Sequence, residues 1–229
     1  MTDELESLLR PPLLDMPPYP PKAITLANGQ VMLVRPATSE ELPHLMKIIY
    51  PLLWVEGDFY DIVAARLFGE LLSLKRHRVR NEYVLVGLID GVLAGIVNGR
   101  MFDASHGVSY HTLSLNRGMR VGAHLFAAKM EHHIEYLGQE EVWIVAESPI
   151  GFRRWMIEYP LDKKYSVQHE LGGAPSWVLP KATYFDAKER LVVGDRPVSQ
   201  ELLDRNAVIK DPDLSAWMVK VDHTLEAQL

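Results

Sequence analysis

The spacing of apolar residues along the chain predicts two helices near its start. In each, apolar residues recur every three or four positions, which places them on one face of a helix. The two sets are Leu42, Leu45, Met46 and Ile49, then Val63, Leu67, Leu71 and Leu74. Thr38 and Glu41 have the spacing of a capping box, so the first helix is expected to begin there. The second is expected over about residues 60–76.

Two dipeptides that favour tight turns predict two β-hairpins. Asn28-Gly29 and Asp90-Gly91 each stand between runs of apolar and β-branched residues, which is the pattern of a two-residue hairpin turn. The expected strands are residues 23–26 and 31–34 in the first hairpin, and residues 83–89 and 92–102 in the second.

A strand, a glycine-containing turn and a long helix follow the second hairpin. Residues 108–115 are rich in β-branched and aromatic side chains, and apolar residues then recur at helical spacing from Leu125 to Leu137, before a C-cap glycine at Gly138. The turn, residues 117–123, contains two glycines and two arginines. A helix N-terminus presents unpaired N–H groups and a positive dipole end, so this turn suits a phosphate or pyrophosphate.

The rest of the chain predicts a mixed sheet with extensions at both ends. A strand, a helix and two strands are expected at residues 141–146, 152–159, 165–171 and 176–179. The order β-α-α-β-β-β-α-β-α-β-β over residues 23–184 predicts an α/β fold whose sheet is mixed, in the manner of an α+β domain. Prolines from Pro11 to Pro21 mark residues 1–22 as an extended arm. Residues 185–229 form a C-terminal extension, which is expected to be helical.

Composition and charge restrict the class of protein. The 229 residues are 48% hydrophobic and 24% charged, as in soluble globular proteins. A net charge of −6 argues against general nucleic-acid binding, and the lack of cysteine removes disulfides and thiolate chemistry. No stretch approaches the roughly 20 apolar residues of a membrane span, and the acidic start is unlike a signal peptide. We therefore expect a cytoplasmic protein that binds neither nucleic acid nor membrane.

The turn before the long helix resembles the acyl-CoA-binding loop of the GNAT N-acetyltransferase superfamily. That loop is often Arg-Gly-x-Gly-x-Gly, which is matched at Arg117, Gly118 and Gly122, whereas Arg120 stands where the family more often has glycine. A first strand that ends in Arg-Pro-Ala-Thr at residues 35–38, before an acidic helix start, is a second resemblance. The order of elements over residues 24–184 is also similar to that of the GNAT fold.

The resemblance implies a GNAT acyl-CoA N-acyltransferase fold, with acetyl-CoA or another acyl-CoA as co-substrate. In this family the loop binds the pyrophosphate, and the pantetheine arm pairs with the strand that precedes the loop. Carried over to this sequence, the cofactor-binding residues are Leu113, Leu115, Arg117, Gly118, Met119, Arg120, Val121, Gly122 and Ala123.

The resemblance also implies a general acid on the helix expected at residues 152–159. Counting from the two neighbouring strands gives Trp155 or Tyr159, and only Tyr159 has a hydroxyl to protonate a thiolate. His111 is the first choice for general base, since it lies on the strand facing the acyl site and imidazole exchanges protons near neutral pH. Glu147 is the second choice. Asp58 and its neighbour Glu56 lie where the family often places acceptor-binding residues.

Histidines on the long helix do not predict a metal site. His132 and His133 are adjacent, so their side chains point about 100° apart on a helix. His124 is two turns away from His132, which is too far for a shared ligand sphere.

The sequence therefore predicts an acyl-CoA-dependent N-acyltransferase that transfers an acetyl group to a primary amine by direct attack. The acceptor is expected to be a small-molecule or peptide amine. One alternative is a non-catalytic GNAT-fold module that binds CoA or a partner protein. A homodimer formed through the C-terminal extension is a further alternative.

Overall fold

The computed structural model describes residues 13–145, 155, 157–168 and 175–218. The strands are β1 (Lys22–Thr25), β2 (Val31–Pro36), β3 (Glu82–Ile89), β4 (Val92–Met101), β5 (His106–Ser114), β6 (Glu141–Val145), β7 (Asp162–Gln168) and β8 (Pro175–Pro180). The α-helices are α1 (Leu42–Ile49), α2 (Tyr60–Lys75), α3 (Val121–Glu131), α4 (Lys181–Leu191), α5 (Gln200–Arg205) and α6 (Ser215–Met218). The 3₁₀ turns Tyr50–Trp54 and Gly57–Phe59 join α1 to α2, and α3 continues into a π-helical turn, His132–Tyr136.

The strands form one mixed sheet in the order β1-β2-β3-β4-β5-β6-β8-β7. Neighbouring strands are antiparallel except β5 and β6, which run parallel. That parallel pairing is short, since it joins only residues 106–109 to residues 141–144. Beyond Ser109, β5 continues to Ser114 with β4 on one side and no pairing to the described part of β6 on the other. Beyond Ser109 this side of β5 therefore has no strand partner among the described residues, and we call it the free edge of β5.

Helices cover both faces of the sheet. Alternate side chains of β3 point to opposite faces, as strand geometry requires. Val84, Val86 and Leu88 join the apolar cluster formed with α1 and α2, whereas Leu85 and Ile89 join the cluster formed with α3.

A glycine allows α3 to lie directly on the central strands. A Cβ atom at Gly95 of β4 would be 2.7 Å from Leu125 Cδ1 and 2.8 Å from Leu113 O, which is closer than real Cβ atoms come to such neighbours. At the start of α3, a Cβ atom at Gly122 would be 3.4 Å from Ser114 Cβ. The N-terminus of α3 is thereby set against the free edge of β5.

The expected α/β fold with a mixed sheet is confirmed, and both hairpins form where the sequence predicts them. Asp90 and Gly91 have positive φ angles of 53° and 83°, as a two-residue turn of type I′ requires. The second predicted helix is α2. Gly138 has a φ of 71° just after the π-helical turn, as a C-cap glycine should. No helix in the described ranges is long and apolar enough to cross a membrane.

The start of the first helix differs from the capping-box prediction. Helix α1 begins at Leu42, and Glu41 is its N-cap residue without a side-chain cap. The Glu41 carboxylate accepts a hydrogen bond from the Thr38 N–H (2.8 Å) and pairs with Arg35 (2.6 Å). One half of the predicted capping box thus forms, but Thr38 lies three residues before the N-cap residue and does not cap the helix.

Both terminal segments pack on the sheet and meet at one buried carboxylate. Residues 13–21, which we call the strap, contain neither helix nor strand. Glu131 of α3 accepts hydrogen bonds from Tyr19 Oη (2.6 Å) and Lys22 Nζ (3.0 Å). It also forms a bidentate pair with Arg196 (3.0 and 3.2 Å), which follows α4. Helix α4 spans residue 184, so the chain is continuous in structure across the expected start of the extension.

Candidate functional site

A cleft of about 360 Å³ lies beside the free edge of β5. Its described lining comes from residues 58–60 and Val63 at the start of α2, and from residues 110–114 of β5. It also includes residues 116–118 and 120–123 of the loop and α3, with Val145 and Trp155. The strand and the loop that the sequence predicts to bind acyl-CoA thus share one cavity.

The free edge of β5 presents the backbone of Thr112 and Ser114 to this cleft. The His111 N–H donates to Asn98 Oδ1 (3.0 Å) and the Leu115 N–H donates to Ala94 O (2.8 Å), so both point toward β4. Because backbone groups of successive strand residues alternate in direction, those of Thr112 and Ser114 point the other way, away from β4.

This register directs the backbone groups of the two predicted strand residues, Leu113 and Leu115, toward β4. The N–H of Leu115 is already used within the sheet, and its side chain lies in the apolar cluster with α1 and α2. Leu113 lines the cleft, but alternation directs its backbone toward β4. The groups that face the cleft are those of Thr112 and Ser114, and the Ser114 carbonyl accepts a hydrogen bond from Tyr60 Oη (2.7 Å).

The loop at the start of α3 leaves N–H donors directed at the cleft. Gly118 and Arg120 have positive φ angles of 89° and 60°, and Arg120 is an N-cap residue without a side-chain cap. The first N–H groups of a helix have no acceptor within it, so Val121, Gly122 and Ala123 present donors here. Met119 is the one predicted loop residue outside the lining, because it packs on the apolar cluster with α3.

Each of the two loop arginines forms an ion pair with a carboxylate of the same chain. Arg117 pairs with Asp58, and its guanidinium lies 4.4 Å from the ring centroid of Trp217 and 5.4 Å from that of Tyr60. Arg120 pairs with Glu158 (2.7 Å). Of the two predicted acceptor residues, Asp58 lines the cleft and Glu56 does not.

His111 lies at the bottom of the cleft within a hydrogen-bonded network. Its Nε2 is 2.8 Å from Glu70 Oε1 on α2. The other oxygen of Glu70 accepts a hydrogen bond from Asn98 Nδ2, and Asn98 Oδ1 accepts one from the His111 N–H. Asn98 lies at a bulge of β4, where the pairing with β5 shifts register. The bulge thus frees an amide side chain that fixes both members of the His111–Glu70 pair.

A buried lysine of α3 contacts β5 at His111 and Thr112. Lys129 of α3 is 0% exposed, and its Nζ donates to the His111 carbonyl (2.9 Å) and to Thr112 Oγ1 (3.3 Å). Burial lowers the pKa of Lys129 to about 7, although the Glu70 carboxylate acts in the opposite direction. The lysine therefore replaces a ladder hydrogen bond at the bulge and titrates near neutral pH.

The two positions considered for the general acid have different surroundings. Trp155 lines the cleft, and its ring stacks on Phe126 with centroids 4.3 Å apart. Tyr159 is 1% exposed in the apolar cluster between α3 and α4, and it is not among the residues that line the cleft. Burial raises the pKa of Tyr159, whose hydroxyl has no hydrogen-bond partner among the described residues. Glu147 lies outside the described residues.

The histidines at the end of α3 are buried among aromatic rings. Burial lowers the pKa of His132 to about 4 and that of His133 to about 3, so both are neutral at physiological pH. His133 Nδ1 is 2.6 Å from Gln139 Oε1. In the part of the chain that the structure describes, no group of three or more His, Asp or Glu side chains is arranged to hold a metal ion.

Sequence comparison and structure comparison give different results. No family model and no curated protein matches the sequence. Among solved structures, an uncharacterized protein from Bacillus halodurans is 10% identical, with a TM-score of 0.55 over 76% of this chain and 96% of that one. A putative acetyltransferase from T. thermophilus is 12% identical, with a TM-score of 0.52 over 78% and 97%. Apo FdhC, a nucleotide-linked sugar GNAT, is 9% identical, with a TM-score of 0.51 over 78% and 100%. At such identities the likeness shows the fold alone, which is the GNAT fold.

Proposed function

We propose that this GNAT-fold protein is an acyl-CoA-dependent N-acyltransferase that transfers an acetyl group to a primary amine. The observation that carries the proposal is the meeting of three features in one cleft. These are the N–H donors at the start of α3, the free edge of β5, and the His111–Glu70 pair. The names of two structural neighbours, an acetyltransferase and a sugar GNAT, agree with this class.

The residues of the cleft fit an acyl-CoA. A diphosphate suits the N–H groups of Val121, Gly122 and Ala123, because they lie at the positive end of the α3 dipole. The pantetheine amides suit the backbone of Thr112 and Ser114, since a peptide-like chain can pair with a free strand edge. No atom lies within 4 Å of a Cβ built at Gly118, so the loop is open at this point. Bound acetyl-CoA would supply a thioester carbonyl carbon for attack by the amine.

His111 would take the proton that the amine loses. A protonated amine has no lone pair, so a base must remove a proton before or during attack. Glu70 would hold the imidazole ring and compensate its positive charge, as a carboxylate behind a catalytic histidine does. The indole N–H of Trp155 is too weak an acid to protonate a thiolate, and Tyr159 is buried outside the cleft lining, so we assign protonation of the leaving thiolate to water. Glu147 is the other candidate base.

A non-catalytic role in CoA or protein binding is the second candidate. The observation in its favour is that both loop arginines are already paired with carboxylates, which competes with a phosphate ligand. Thiol release from acetyl-CoA in the presence of an amine library separates the two roles. Catalysis predicts release above the amine-free rate for at least one amine. Binding without any such release would support the module instead.

A further inference from the structure

The guanidinium of Arg117 occupies a site with the chemistry of a cation receptor. It pairs with Asp58 and lies over the faces of Trp217 and Tyr60, at 4.4 and 5.4 Å from their ring centroids. A carboxylate beside aromatic faces is an arrangement that proteins use to bind ammonium and guanidinium groups. The surroundings of the Arg117 guanidinium are therefore of the kind that bind such cations.

Contacts that do not involve Arg117 hold this site in place. Tyr60 Oη donates to the Ser114 carbonyl (2.7 Å), which fixes the ring against β5. The ring of Trp217 lies 4.4 Å from that of Tyr60, and Trp217 is 6% exposed in the cluster with α1 and α2. The backbone N–H of Trp217 donates to the Leu214 carbonyl (2.9 Å) at the start of α6. Removal of the arginine side chain would thus leave the two rings where they are.

The backbone before α2 is strained where it supplies the carboxylate. Asp58 and Phe59 have successive positive φ angles of 59° and 63°, a conformation that aspartate tolerates but that is unfavourable for a bulky residue such as Phe59. Phe59 is 46% exposed, so packing of its ring does not account for the conformation. In this conformation the Asp58 carboxylate lines the cleft and pairs with Arg117.

Arg117 pairs with Asp58 in the structure, and a bound diphosphate would compete for its guanidinium. It belongs to the loop whose N–H groups face the cleft, and in the structure its side chain turns from that loop to Asp58. A diphosphate at the start of α3 would attract the same guanidinium. One side chain cannot pair fully with both, so the arrival of a diphosphate would free Asp58, Tyr60 and Trp217 together.

We propose that Asp58, Tyr60 and Trp217 form a cation subsite for the acceptor. The guanidinium of Arg117 occupies this subsite until the diphosphate of acyl-CoA binds and pairs with Arg117 instead. The acceptor is then an amine with a second cationic group, of which an α,ω-diamine is the simplest case. The subsite also sets an order of binding, because the acceptor gains its second contact only after the cofactor. This rests on the proposed function, since it assumes that the start of α3 binds the diphosphate of acyl-CoA.

Calorimetric titration with putrescine and with butylamine tests the subsite, because the two share a four-carbon chain and differ by one ammonium group. In the presence of CoA, which permits no acetyl transfer, the wild type should bind putrescine roughly tenfold more tightly than butylamine. Without CoA this preference should be absent. Asp58→Asn should lose the preference, whereas Asp61→Asn, which removes a nearby carboxylate outside the cleft lining, should keep it.

Arg117→Met separates the subsite from the proposed function. With the internal cation removed, this variant should prefer putrescine even when CoA is absent. Equal binding of the two amines by Arg117→Met, or an unchanged preference in Asp58→Asn with CoA, would overturn the subsite. Failure of the wild type to bind CoA would instead contradict the proposed function. The titration of Arg117→Met with the two amines in the absence of CoA would still test the subsite.

Discussion

His111 Nε2 lies 2.8 Å from Glu70 Oε1, which joins the free strand edge to helix α2 across the bottom of the cleft. Asn98 bridges the two residues from the bulge of β4. Residues of β5, α2 and β4 therefore fix the positions of His111 and Glu70. A base held in this way needs no reorganisation when a substrate arrives.

Loss of the imidazole should remove most of the activity. We expect His111→Ala to lower kcat by about 10²- to 10⁴-fold, the usual contribution of a general base, and Glu70→Gln to lower it less, because the ring remains. Steady-state kinetics of thiol release measure both. His106→Ala is the matched control, since His106 pairs with Asp103 (2.8 Å) and is not among the residues that line the cleft. Full activity of His111→Ala would show that another group, such as Glu147, is the base.

Removal of one N–H at the start of α3 should weaken cofactor binding. The Ala123 N–H lies in the first turn of α3 and has no acceptor within the helix, so Ala123→Pro deletes a donor without breaking a helical hydrogen bond. We expect the Kd for CoA to rise roughly tenfold, as for loss of a hydrogen bond to a charged group. Ala123→Gly keeps the N–H and serves as the control. Equal Kd values for the two variants would mean that the diphosphate is bound elsewhere.

Lys129 should make stability depend on pH in the neutral to alkaline range. Burial lowers its pKa from 10.5 to about 7, so between these values the unfolded chain binds the extra proton and stability rises with pH. From pH 7 to pH 9 the gain is about 2 kcal/mol relative to Lys129→Met, which has no such proton. Urea unfolding of both proteins at the two pH values measures it. Parallel changes in the two proteins would contradict the lowered pKa.

The carboxylate that joins the strap to the C-terminal segment should be important for stability. Burial acts to raise the pKa of Glu131, but hydrogen bonds from Arg196 and Tyr19 and the charge of Lys22 outweigh it and hold the pKa below its ordinary value. Glu131→Gln should lower the free energy of unfolding by roughly 3–5 kcal/mol, because two cations lose their buried partner.

An exposed ion pair provides the comparison for Glu131. Glu140→Gln breaks a pair with Lys181 (2.7 Å) and should cost less than about 1 kcal/mol. Since the pKa of Glu131 is lowered on folding, its contribution is present at neutral pH and lost as pH falls through that lowered value. The wild type and Glu131→Gln should therefore become similar in stability in acid. A difference that stays constant into acid would be inconsistent with an ionised Glu131.

The elements could be predicted from the sequence because their signals are local. The Asp90-Gly91 turn depends on two residues that accept positive φ, and α2 depends on the spacing of its apolar face. The glycine-containing loop is likewise a local feature, and it does open onto the cleft.

The polar side chains at the bottom of the cleft could not be predicted in this way. In the sequence, Glu70 and Lys129 are indistinguishable from charged residues on solvated helix faces. Their positions depend on the bulge at Asn98, which is a property of pairing between two strands. For a related reason, the sequence does not indicate that Thr112 and Ser114, rather than Leu113 and Leu115, direct their backbone groups away from β4. Apolar side chains reveal the buried face of a strand, but they do not indicate which backbone groups remain unpaired at its edge.

Calorimetric titration of the wild type with acetyl-CoA, followed by assay of thiol release with amines, tests the central claim most directly. The cleft predicts saturable one-to-one binding that Ala123→Pro weakens, and amine-dependent release that His111→Ala abolishes. The absence of binding at millimolar acetyl-CoA would contradict the assignment of the α3 loop as a diphosphate site, and with it the proposed acyltransferase activity.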